Sequence, residues 1–164
     1  MRLAKLFLVG IAAWTLAGAA GAETKANPAW EKMKSLAGAW EGHAGDQPVS
    51  VTYTLVSNGT ALMESLNAEH GVNMVTMYAP DGDAIVATHY CAMGNQPRIK
   101  ANPSGDLKSL DFQFVDATNV QDPKGELMQR LVVTFRDADH FQQAWTARGN
   151  GKDQTSEFVY TRKK

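Results

Sequence analysis

Val49-Ser50-Val51-Thr52-Tyr53-Thr54-Leu55 decides how the rest of the chain is read. Apolar side chains alternate there with hydroxyl-bearing ones. In an extended strand this period of two places Val49, Val51, Tyr53 and Leu55 on one face and Ser50, Thr52 and Thr54 on the other. Such a strand buries one face and wets the other, so it belongs to a sheet with a single core side. Downstream, Ser57-Asn58-Gly59 is a turn signal, and Leu62, Glu64 and Leu66 then alternate with Met63 and Ser65 as the returning arm of a hairpin. The pattern leaves open whether the Glu64 row or the Met63 row faces inward.

Residues 72–78 and 84–91 flank Pro80-Asp81-Gly82-Asp83, a second hairpin signal. With Asp81-Gly82 as a two-residue turn, counting outward pairs Tyr78 with Ile85, Thr76 with Ala87, Met74 with His89 and Val72 with Cys91. Further strands are expected at 98–101, 107–115, 127–135, 140–148 and 154–162. Clusters such as Asn102-Pro103-Ser104-Gly105, Asp122-Pro123-Lys124-Gly125, Asp137-Ala138-Asp139 and Gly149-Asn150-Gly151 punctuate them. Upstream, Asn27 caps a short helix with Pro28 at its first position; Trp30, Met33 and Leu36 recur at helical spacing before Gly38. No helical pattern lies between the strands to make parallel crossovers. The fold expected is all-β: a single up-and-down antiparallel β-barrel of about ten strands, with the N-terminal helix plugging one end.

Residues 1–22 read as a secretory signal peptide. Arg2 and Lys5 precede the apolar run 6–17, and Ala20-Gly21-Ala22 offers a small-residue cleavage site. The run is shorter than the roughly 20 residues a membrane span needs. The expected domain is therefore residues 23–164, periplasmic or secreted, with no membrane insertion after cleavage. Losing Arg2 and Lys5 changes the formal charge from -1 to -3. Without a basic stripe the chain lacks the electrostatic drive for nucleic acid. Cys91 is the only cysteine, so no disulfide forms within the chain, and closure of the sheet is expected to supply the stability.

Leu36-Ala37-Gly38-Ala39-Trp40-Glu41-Gly42 at the front, the meander, and the closing Phe158-Val159-Tyr160-Thr161-Arg162 together resemble the small lipocalin-like (calycin) barrels that bacteria export, many of them uncharacterised. The resemblance implies structural roles for two residues: Trp40 packed inside the closed end, with Arg162 lying on its indole. Nitrobindin-type barrels resemble this layout too and carry haem on a His near the chain end. Here the last histidine is His140, at the start of the penultimate strand, and the final strand has none.

The most distinctive stretch is Thr88-His89-Tyr90-Cys91, followed by Gly94-Asn95-Gln96-Pro97-Arg98. Period-two geometry puts His89 and Cys91 on one face, and the hairpin adds Met74, Thr76 and Tyr78; Val75, Met77 and Val86 make the opposite face an equal candidate for burial. Apolar bulk with a few convergent polar groups is the composition of a ligand pocket. The expected function is binding of a small apolar or amphipathic molecule without catalysis, with Tyr53, Met74, Tyr78, His89, Cys91, Gln96 and Arg98 as ligand-binding residues and no cofactor. Three alternatives stand beside it. Met74, His89 and Cys91 offer one imidazole and two soft sulfurs to a copper-type metal. Cys91 with His89 would make a thiol enzyme. Finally, the barrel is filled by its own side chains and serves a structural or interaction role. Paired carboxylates, a Gly-rich phosphate loop and a Ser nucleophile elbow are missing from the sequence.

Overall fold

The computed structural model describes residues 26–68 and 73–164. The signal pattern at 1–22, His70 and Val72 lie outside the described residues. Helix α1 (Pro28–Lys34) precedes β1 (Gly38–Ala44), β2 (Gln47–Val56), β3 (Ala61–Ala68), β4 (Asn73–Asp81) and β5 (Ala84–Tyr90). Then follow β6 (Gln96–Ala101), β7 (Ser109–Thr118), β8 (Leu127–Phe135), β9 (His140–Gly149) and β10 (Lys152–Arg162). Each strand pairs antiparallel with its chain neighbours, and β1 pairs with β10 to close an all-β barrel. Closure leaves no sheet edge to template unwanted pairing.

Inward rows follow from the alternation: Val49, Val51 and Tyr53 on β2 are buried, as are Leu62, Glu64 and Leu66 on β3. The row containing Glu64 therefore faces the interior. At the end covered by α1, the Asn27 side chain accepts from the Trp30 N–H at 3.0 Å and donates to the Gly82 and Ala84 carbonyls at 2.9 and 3.0 Å. One residue thus caps the helix and ties it to the β4–β5 turn. Trp30 and Met33 are buried beneath.

The two glycines around Trp40 are required by the closeness of β1 to its neighbours. A Cβ on Gly38, whose φ is +130°, would stand 2.9 Å from Arg162 Nη1; one on Gly42 would stand 1.9 Å from the Val159 carbonyl oxygen. Between them Trp40 turns inward and donates its indole N–H to the Leu36 carbonyl at 2.8 Å. The Arg162 guanidinium lies 4.0 Å from the indole centroid and donates to the carbonyls of Ser35, Ala37 and Ala138. The last strand therefore binds the end of the helix segment and the first strand through one side chain.

Two details of the β4–β5 hairpin differ from the sequence expectation. The two-residue turn is Gly82-Asp83, not Asp81-Gly82, because the positive φ of Gly82 (+60°) falls at the first turn position, where a II′-type turn places glycine. Tyr78 consequently faces Ala87, and Thr76 faces His89. The shift is by two residues, so every side chain keeps its face. Strand β5 also stops at Tyr90, leaving Cys91 in the turn to β6, where its N–H donates to the Asn95 carbonyl and its carbonyl accepts from Gly94.

Candidate functional site

Three layers of side chains fill the barrel from the plugged end to the open one. Nearest the helix, Phe141 meets Trp40 edge-on at 4.7 Å and stacks on Tyr160 at 4.7 Å.

The middle layer is polar and buried. Glu64 Oε2 accepts from the Tyr53 hydroxyl at 2.8 Å, the Tyr78 hydroxyl at 2.6 Å and the Gln143 amide at 3.0 Å. Gln143 also donates to the Tyr53 oxygen at 2.9 Å. Four strands, β2, β3, β4 and β9, supply this cluster. Burial raises the pKa of the Glu64 carboxyl above its ordinary value, although the three hydrogen bonds pull the other way. Burial and the neighbouring carboxyl also push both tyrosine pKa values upward. No Lys or Arg is among the buried described residues, so nothing in this layer neutralises a carboxylate.

Beyond it, toward the end opposite α1, the barrel opens into a cavity of about 210 Å³. Glu64 forms part of its floor and His89 and Trp145 part of its wall, with Leu66, Met74, Met128, Ala147 and Phe158 supplying apolar surface. Glu126, Gln154 and Ser156 stand at the mouth. His89 is 4% exposed and its Nδ1 is bonded to Thr76 Oγ1 at 2.9 Å. Its Nε2 is buried without a hydrogen-bond partner among the described residues. Burial lowers the imidazole pKa to about 4, so the ring is neutral near pH 7. The Trp145 ring lies against it at a centroid distance of 4.7 Å.

Of the residues singled out in the sequence, Met74 and His89 line this cavity, and Tyr53 and Tyr78 lie beneath it, holding Glu64. Cys91 is half-buried in the β5–β6 turn and is not among the cavity-lining residues; burial pushes its thiol pKa up, opposite to the activation that a nucleophilic thiol needs. Gln96 bonds the Gly94 carbonyl and Thr118, and Arg98 forks onto Asp116 on the outer surface. His43 and His140 are exposed. Sequence reasoning passed over Gln143, Met128 and Phe158. The signal for Gln143 was its place between Phe141 and Trp145, where a polar residue interrupts an inward apolar row.

Among the described residues, no group of three or more His, Cys, Asp or Glu side chains is placed to hold a metal ion, and no helix is long and apolar enough to cross a membrane.

What the fold and site define is a small closed barrel, plugged at one end and hollow at the other. No protein-family model matches the chain, and no curated protein matches it in sequence. Among solved structures, it is similar to the crystal structure of Rv2717c from M. tuberculosis, with a TM-score of 0.60 at 15% identity over 84% of this chain and 98% of that one. That likeness is one of fold.

Proposed function

We propose that this protein is an exported lipocalin-like barrel that binds a small amphipathic molecule in the cavity at its open end without transforming it. The observation that carries this reading is His89 Nε2, a buried polar atom with no partner among the described residues, on the wall of a cavity that combines apolar and sulfur-containing side chains with a few polar ones. Buried polar atoms are almost always satisfied, and an exception calls for an unseen partner. A ligand that places its apolar body against Met74, Met128 and Phe158 and a polar group at His89 supplies one. The volume sets the size: cavities of about 150 Å³ take a molecule like benzene, and drug-sized ligands need roughly 300 Å³ or more. A single-ring compound fits this site. The leader pattern at 1–22 supports export, and the Gly38/Trp40/Arg162 arrangement supports the lipocalin-like affiliation.

Saturation-transfer NMR with 2-phenylethanol tests the reading. We expect saturable binding that is lost in Ala147→Phe, which fills the cavity from β9. Equal binding by that variant, or none by the parent protein at millimolar ligand, would count against it.

A further inference from the structure

We infer that the polar group recognised in this cavity is a protonated amine, so that the ligand is a small organic cation with an apolar ring. The inference rests on the cavity-binding reading above and specifies its chemistry.

Four features of the site point the same way. First, all three hydrogen bonds to Glu64 fall on Oε2, and Oε1 has no partner among the described residues although Glu64 lines the cavity. Second, His89 adds a second unpartnered atom on the same cavity, in a ring that is neutral near pH 7 and so does not repel a cation. In the tautomer that donates Nδ1–H to Thr76 Oγ1, Nε2 presents a lone pair, and an ammonium group, which has donors and no acceptor, is the chemical complement of that lone pair and of Oε1.

Third, the charge balance is one-sided. Among the described residues, Glu64 and Glu126 line the cavity and no Lys or Arg does. The lysines nearest the mouth, Lys124 and Lys152, lie in an adjoining surface groove with Asp122, Glu126 and Asp153. The groups facing Glu64 are Tyr53 on β2, Tyr78 on β4 and Gln143 on β9; Tyr160 on β10 is near enough for the carboxyl to help raise its hydroxyl pKa. None of these is a cation. A buried carboxyl without a counter-ion stays protonated or costs stability, and a bound ammonium ion supplies the counter-ion. Fourth, Trp145 and Phe158 line the same cavity, and aromatic faces attract cations when water is excluded. An anionic ligand would meet a carboxyl at the floor and another at the mouth, with no Lys or Arg among the described cavity-lining residues to receive it.

The test compares three single-ring ligands by calorimetry near pH 7.5: 2-phenylethylamine, 2-phenylethanol and 3-phenylpropanoate. We expect the amine to bind about tenfold or more tightly than the alcohol, and the carboxylate most weakly. In Glu64→Gln, the preference should vanish, the amine-to-alcohol affinity ratio falling from tenfold or more to within about twofold. Should Glu64→Gln fail to fold, the rank order in the parent protein decides the matter. Alcohol binding with no preference for the amine, or a preference for the carboxylate, overturns the amine inference and leaves the cavity reading standing. Failure of all three ligands to bind overturns both.

Discussion

The two ends of this barrel use the same strands for opposite purposes. Along β9, Phe141 packs against Trp40, Gln143 bonds Glu64, and Trp145 and Ala147 face the cavity. Along β10, Tyr160 is buried in the aromatic stack, Phe158 lines the cavity, and Ser156 and Gln154 reach its mouth. The plugged end is closed by direct contact: a helix, two glycines and a fork of hydrogen bonds from Arg162. The open end leaves space, with the Glu64 carboxyl and the His89 ring on its lining. Substitutions at the plugged end should act through folding, and those at the open end through binding.

The largest effect expected is that of Gly42→Ala. Its Cβ would fall 1.9 Å from the Val159 carbonyl, so β1 and β10 must separate where the barrel closes. Overpacking against backbone rather than a flexible side chain should cost more than about 3 kcal/mol, read as a lowered urea midpoint. A loss under about 1 kcal/mol would mean that the seam is looser than the structure shows.

Next is the acid response of the open end. The pKa of His89, near 4 in the fold, lies below the usual 6.5 of an unfolded chain, so between those values the unfolded state binds more protons. Stability is therefore full above pH 6.5 and falls as pH drops toward 4, by up to about 3 kcal/mol from this group. Glu64 acts in the opposite sense. Its raised pKa makes the folded state bind more protons than the unfolded one, so its contribution is full below the ordinary carboxylate value and is lost as pH rises through the folded one. Denaturant melts from pH 4 to 7 should show a shallower acid loss in His89→Gln than in the parent, and a steeper one in Glu64→Gln. Parallel profiles for all three proteins would contradict the burial assigned to both groups.

Arg162→Ala should cost about 2 kcal/mol, through loss of the indole contact and of hydrogen bonds to the carbonyls of Ser35, Ala37 and Ala138. Arg162→Lys should recover less than half, since an ammonium cannot reproduce the planar fork. The smallest effect belongs to the exposed mouth: Ser156→Ala should move the melting midpoint by no more than about 0.5 kcal/mol equivalent while altering ligand affinity.

These ends were not equally legible in the sequence. Alternation along Val49 to Leu55, the turn clusters and the capped helix carried the closed barrel, because strand period and turn chemistry are local properties. The hollow was harder to read. Glu64 sits in a row with Leu62 and Leu66, yet Met63 gives the other face apolar character as well, and only the closed sheet shows which row is inside. The Gly82-Asp83 turn moved His89 opposite Thr76, which sets its hydrogen bond and the atom left unpaired. Cys91 looked equivalent to His89 by parity, but the strand ends one residue before it. Gln143 reaches Glu64 across 79 residues of chain, a contact that no local pattern encodes.

The most direct test of a cavity at the open end is carbon-13 methyl NMR of the methionines during titration with 2-phenylethanol. Met74 and Met128 line the cavity, Met33 is buried at the plugged end, and Met93 is exposed on the β5–β6 turn. Saturable shifts of the Met74 and Met128 methyl signals are expected, with Met33 and Met93 unmoved. Shifts confined to Met33 or Met93, or an unchanged spectrum at saturating ligand, would contradict it.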